Sequence, residues 1–329
     1  MADRVPLLEQ VRRACRTVAE RASYVRVDRE RLSSFARFLL GDASRPLDPL
    51  EHPEHDPECH YLGHDADTVA FFLTLDAINF GSGYSPHLRK RPGMSTYFTI
   101  AASLNDHFCD SGPFSARELV LLDEGACAAV FGQDLSAAPV RELMGLYAQA
   151  LNDLGWLLGD RYGGRYVGMV VAAGGSAERL VELLLDMPFF RDVSHYAGLE
   201  VPLLKRAQIA VTDLALAFDG QGYGWFKDLD RLTIFADNLV PHVLRVEGVL
   251  RYEQGLLERI NRGKLVPAGS RQEVEIRACG LHAVELLAAE LGRLGRRVTA
   301  RELDYVLWNR GQGRRFKSQP RHRTRTVYY

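Results

Sequence analysis

The chain lacks paired cysteine motifs, long apolar runs and net charge, and each lack removes a class of protein. Its five cysteines, Cys15, Cys59, Cys109, Cys127 and Cys279, are odd in number, scattered and without a CxxC pair. That pattern argues against a disulfide framework and fits reduced thiols in a cytoplasm. No stretch of ~18 apolar residues occurs, so no transmembrane helix is expected. Met1 to Leu8 has no basic region followed by an apolar run, so no signal peptide is expected. With 41 Lys and Arg against 42 Asp and Glu, the formal charge of −1 gives no global pull toward nucleic acid or lipid. Internal repeats and low-complexity linkers are also absent.

What remains is an ordinary globular composition with helical patterning. At 329 residues the chain has room for a sizeable core. Leu8, Val11, Cys15 and Val18 mark one face of an amphipathic helix. Thr68 to Phe80 is apolar almost all round and reads as a central buried helix. Helical period continues through Ser95–Phe108, Ser115–Leu122, Pro139–Leu158, Ser176–Leu185, Gln272–Leu294 and Thr299–Trp308. Ser115 with Glu118, and Thr299 with Glu302, form Ser/Thr-x-x-Glu capping boxes. Only residues 167–173 have a β-like look, and they serve equally well as buried helix. The expected fold is all-α, one compact helical domain over residues 1–329. A long polar loop at 41–65 and a basic tail at 311–329 complete it.

The polar loop carries His52, His55, Cys59, His60 and His64. Imidazole and thiolate are zinc ligands, but this spacing matches no zinc pattern, and no metal is expected. On the buried helix, Asp76 and Asn79 share a face with Phe72 and Phe80 at helical spacing. A buried carboxylate needs a partner. Two readings stand: a core Asp satisfied by its neighbours, or an acceptor facing a ligand between aromatic rings.

The stretch from Lys205 to Tyr252 concentrates the other unusual residues. A helix opens it, followed by Asp219-Gly220-Gln221-Gly222-Tyr223-Gly224, where glycines let backbone approach a ligand closely. Trp225, Phe226 and Lys227 come next, then a helix expected from about Asp228 into Asn238, with Pro241 marking a boundary. Aromatics, glycines, a lysine and a carboxylate within one hairpin read as a pocket.

Several blocks together carry a family resemblance. They are LDAINF at 75–80, MPFFRDVSHYAG at 187–198, KRAQI at 205–209, GYGWFKD at 222–228, LTIFADNLVP at 232–241, RQEVEIRAC at 271–279, LDYVLW at 303–308 and the terminal VYY. Over roughly residues 68–329 the chain resembles the queuosine salvage family, the queuosine 5′-phosphate N-glycosylases. It departs from that pattern at Gly81, Ser82 and Gly83, and at Asn238-Leu239, where the family tends to carry Cys with large aromatics and Tyr-Arg respectively. The resemblance implies hydrolysis of queuosine 5′-phosphate to queuine and ribose 5-phosphate, with no cofactor, on a helical fold related to helix-hairpin-helix DNA glycosylases. The turn Glu247-Gly248-Val249 between two expected helices is the one local echo of that hairpin.

Such a substrate sets chemical demands. Its phosphate asks for cations, and Lys205, Arg206, Lys227 and Arg277 are candidates. Its flat base asks for aromatic faces, for which Phe80, Tyr196, Tyr223 and Trp225 are candidates. Its polar edge and amine ask for carboxylates or amides, a request that Asp76, Asn79 and Asp192 fit. Scission develops positive charge on the ribose, which a carboxylate beside C1′ stabilises, attacks, or relieves by activating water. A 7-deaza base lacks the N7 at which a purine leaving group is usually protonated, so more of the barrier falls on the sugar cation. Asp237 is the candidate carboxylate once the resemblance is taken in; periodicity alone makes it a solvated residue or a cap for the segment entering Pro241. Glu273, Glu275 and Arg277 also fit an ion-pair network within the long helix, and Asp213 and Asp228 fit helix caps or partners of Lys205 and Lys227.

The expected partner is a small-molecule substrate, with no membrane and no direct nucleic-acid partner. Two rivals remain: a non-catalytic binder of a modified nucleoside or tRNA, and a DNA-base glycosylase, which would need a local basic face.

Overall fold

In the computed structural model, residues 5–41 and 55–329 are described, and helices dominate. The described residues fall into two compact units. The first holds residues 5–41, 192–205 and 230–325, the second residues 55–191, 206–229 and 326–329.

The first unit is built on the helix Arg271–Arg293, whose buried positions run nearly all round it. The amphipathic helix Leu7–Arg21 lays Leu8, Val11, Ala14, Cys15 and Val18 against it, and Arg29–Gly41 packs there too. Glu275, inside the long helix, accepts hydrogen bonds from the amides of Ser23, Tyr24 and Val25 at 2.5–3.0 Å. Those bonds lead the chain into a short strand, Val25–Val27, paired antiparallel with Leu250–Tyr252. The expected two-helix turn at Gly248 therefore runs into a strand before the next helix, Gln254–Asn261, begins. A second hairpin pairs Val193–Tyr196 with Leu199–Pro202. Its two-residue turn, Ala197-Gly198, has both φ values positive, as a type I′ turn requires.

The helix expected from Asp228 through Asn238 does not form. A single 3-10 turn, Leu229–Arg231, gives way to irregular backbone until the helix Val240–Val246, which has Pro241 in its first turn. Proline has no N–H to give a preceding helix but suits a helix start, so the segment's propensity yields to it.

The second unit centres on Ala66–Ala77, buried at every position from Thr68 to Ala77. The helix ends before Asn79 and Phe80, one turn earlier than the sequence pattern indicates. The helix Ala138–Tyr162 packs on Ala116–Leu121 at Gly155, where an added Cβ would lie 2.6 Å from the Ala116 carbonyl. Residues 167–173, open between strand and helix in the sequence, form the helix Tyr166–Ala172. Both capping boxes are present.

The basic tail is ordered by burial. In unit one, His322 and Thr324 point inward and are buried, while Arg321 and Arg323 point outward, the period-two pattern of an extended strand. In unit two, the terminal Tyr329 is buried and its carbonyl accepts from the Gly81 amide at 3.1 Å.

Candidate functional site

In the first unit, one ion pair organises the candidate residues. Arg277, with no exposed side-chain surface, meets Asp192 with both terminal nitrogens, at 2.9 and 2.5 Å. Glu273, one helical turn back, adds a third contact at 3.4 Å. The Arg277 Nε donates to the Ala236 carbonyl at 2.7 Å, immediately before Asp237 in the chain. Asp192 reaches the other way: its carboxylate accepts from the Lys205 amide at 3.1 Å, and its backbone carbonyl accepts from the amides of Leu203 and Leu204. Leu204 is held at φ 54, an uncommon conformation for a leucine, at the entry to the helix Lys205–Ala217. Arg277 and Asp192 thus fix the backbone at both Asp237 and Lys205.

Asp237 lies on the irregular stretch and is half-buried. Its Oδ1 accepts from the amides of Leu239 and Val240, at 2.7 and 3.3 Å, at the start of the next helix. A C-terminal helical turn would have opposed its charge; these helix-start donors favour it. Two residues before it, the Phe235 amide donates to the buried carboxyl of Asp304 at 2.9 Å. Burial, and then the negative charge of Asp237, hold the Asp304 carboxyl well above the usual carboxylate range, with Lys205 acting against them. Asp237, Lys205 and Asp304 therefore share one electrostatic neighbourhood. Asp304 was missed in the sequence; its one signal is a carboxylate on the buried stripe of Leu303 and Leu307.

Tyr196, a stacking candidate, is buried, and its hydroxyl donates to Glu275 at 2.8 Å. It packs as part of the hairpin and turns no open face outward. Arg277 likewise stands inside the protein, away from any solvent-borne phosphate. Glu275 is committed to the Ser23–Val25 backbone.

In the second unit, Asn79 donates to Asp76 at 3.0 Å, so the expected proximity survives the early end of the helix. Phe80 is buried, edge-on to Tyr147 and 4.8 Å from the guanidinium of Arg206. Arg206 is also buried; it caps the helix Ala66–Ala77 by donating to the carbonyls of Asp76 and Ala77 at 3.2 and 2.5 Å, and it reaches Phe189 as well. A cation at a helix C-terminus is well placed electrostatically.

The glycine-aromatic loop lines a different cavity of this unit, about 490 Å³, with Tyr223, Trp225, Phe218, Val170 and Gly175 in its wall. Trp225 is 54% exposed and lies over Gly175, where any Cβ would strike its ring at 2.4 Å. Asp76, Asn79 and Phe80 do not line that cavity. Lys227 is exposed, and its amide donates to the Gly175 carbonyl. Asp228 does not serve Lys227: it caps the helix Ala177–Leu184, accepting from the Ser176 hydroxyl and the Ala177 amide at 2.8 and 2.6 Å.

Of the histidine loop, His52 lies outside the described residues. His55 lies against His60 and Phe72 with its ring tilted to each, and its Nε2 bonds the Asp213 carbonyl. Among the described residues, no three His, Cys, Asp or Glu side chains converge as a metal set, and no helix is long and apolar enough to cross a membrane.

Fold and site together define a helical protein that holds a half-buried aspartate on irregular backbone, beside a buried lysine and a second carboxyl. The chain belongs to the queuosine salvage protein family, whose model matches residues 59–329. It is 36% identical to the queuosine 5′-phosphate N-glycosylase/hydrolase of Sphaerobacter thermophilus, over 99% of this chain and 98% of that protein. A protein of the same name from Bos taurus is 30% identical, over 97% of this chain and 98% of its own length. The one from Schizosaccharomyces pombe is 33% identical, over 83% and 86%.

Proposed function

We propose that this protein hydrolyses the N-glycosidic bond of queuosine 5′-phosphate, with Asp237 as the carboxylate beside ribose C1′. The observation that carries the assignment is the way Asp237 is held. One oxygen is fixed by two backbone amides, and the preceding carbonyl by a buried arginine. The carboxylate is therefore oriented before substrate arrives, which is what electrostatic stabilisation of a developing charge demands. As the bond from C1′ to the base nitrogen breaks, its electron pair leaves with the base and positive charge grows on the sugar. The carboxylate lowers the energy of that cation. Water supplies hydroxyl to C1′ and a proton to the base, giving ribose 5-phosphate and queuine. Asp304, whose carboxyl burial and the Asp237 charge hold well above the usual carboxylate range, lies in the same electrostatic neighbourhood. Lys205 brings positive charge to the same neighbourhood.

The test is release of queuine from queuosine 5′-phosphate by purified protein, compared with Asp237→Asn. The variant is expected to bind substrate while its turnover falls by about 10²–10⁴-fold, the usual range for loss of an acid–base or charge-stabilising side chain. Turnover that survives the substitution would remove Asp237 from the mechanism.

A further inference from the structure

Within the extended stretch 321–325, one arginine is left without an internal partner. Arg323 donates to the Gly263 carbonyl, and Arg325 has partners within the protein. Arg321 has no hydrogen-bond or ion-pair partner among the described residues, and its side chain reaches solvent while part of it is packed against protein. Its position is nevertheless well fixed. The Pro320 carbonyl before it accepts from Arg245 at 2.8 Å, and the His322 carbonyl after it accepts from Asn238 at 3.4 Å. Further back, the Phe316 carbonyl meets His242 at 3.0 Å, and further on, the Arg323 carbonyl accepts from the Val266 amide at 2.9 Å. The tail is thus fastened on both sides of Arg321, and one fastening is Asn238, the residue next to Asp237.

We infer that Arg321 receives the 5′-phosphate and so sets the preference for the phosphorylated nucleotide over the nucleoside. The inference rests on the reading of Asp237 as the group beside C1′. In a ribose 5-phosphate unit, only the sugar ring and one methylene separate C1′ from the phosphate ester. A ligand with C1′ at Asp237 therefore has its phosphate within an arginine's length. The guanidinium offers a planar fork that matches two phosphate oxygens, and an arginine with no internal partner has its donors to give. Protein crowding around Arg321 lowers its pKa, and Asp237 is the one charge that acts in the opposite direction, which places the two groups in mutual range.

The experiment compares kcat/KM for queuosine 5′-phosphate and for unphosphorylated queuosine in the wild type, Arg321→Gln and Arg321→Lys. Arg314→Gln, an exposed tail arginine with the same change of charge, is the control. The preference for the phosphorylated substrate is expected to fall about 10–100-fold in Arg321→Gln, as for loss of a charge-assisted contact, with Arg321→Lys between. An unchanged preference, or an equal fall in Arg314→Gln, overturns the inference. Heat protection by ribose 5-phosphate is read in parallel and needs no turnover. Protection lost in Arg321→Gln but kept in Arg314→Gln supports the phosphate site even if queuine release fails; protection retained in Arg321→Gln overturns it.

Discussion

Replacing Arg277 by methionine tests the organisation of the site most directly. The substitution keeps an unbranched side chain, which ends about where the Arg277 Nε stands, and removes every donor. Asp192, with a side chain only 2% exposed, is left without its arginine partner, and the Ala236 carbonyl loses its donor. Removing one member of a buried pair costs about 3–5 kcal/mol, because the remaining charge stays desolvated. The orphaned carbonyl adds a cost of about 1–3 kcal/mol, part of which relaxation recovers. A net loss of about 4 kcal/mol is expected, seen as a lower urea midpoint at an unchanged slope. Asp192→Asn with Arg277→Met removes both charges and is expected to recover about half the loss, so the double-mutant cycle is strongly non-additive. Turnover by the folded fraction falls as well, since the backbone at Asp237 and at Lys205 loosens together. A loss below about 1 kcal/mol, or an additive cycle, would refute the reasoning.

Two further outcomes follow from groups outside the chemistry. Burial holds His55, His60 and His242 at about 4, and burial with the nearby Arg277 and Arg321 charges holds His322 at about 3. The unfolded chain takes up these protons near pH 6.5 while the fold refuses them. Stability is therefore expected to decline as pH falls from about 6.5 toward 4, by up to about 1.4 kcal/mol per pH unit for each histidine; a flat urea midpoint across that window would contradict it. Asp228→Ala removes the cap of Ala177–Leu184 and is expected to cost about 1–2 kcal/mol while leaving turnover per folded molecule intact, measured by thermal denaturation alongside queuine release.

Local physics was legible in the sequence wherever its partners were near in the chain. The Ser115 and Thr299 capping boxes, the all-round burial of Thr68–Ala77 and the long helix through Arg277 could all be read from spacing. The segment from Asp228 to Asn238 could not. Its helical pattern was overruled by a hydrogen bond donated by Arg277 and one accepted by Asp304, 41 and 69 residues away, and by the proline that starts the next helix. Arg277 looked like a phosphate ligand because the sequence hides Asp192, its partner 85 residues distant. The order of the basic tail was legible only in its alternation, not in its charge. Residues 321–325 alternate Arg with His or Thr, and that period of two was the available sign of an extended segment with one buried face.

The packing of Leu7–Arg21 on Arg271–Arg293 also constrains how the protein is made. The apolar stripe of the first helix has its main cover in a helix that ends 272 residues after Arg21. At translation rates of about 5–20 residues per second, that stripe waits roughly 15–50 s for its partner to leave the ribosome. During this interval Leu8, Val11 and Val18 present an uncovered surface of the kind that holdase chaperones bind. Aspartate positioning at residue 237 is then among the last events of synthesis, because Arg277 must arrive before the carbonyl beside it can be tied.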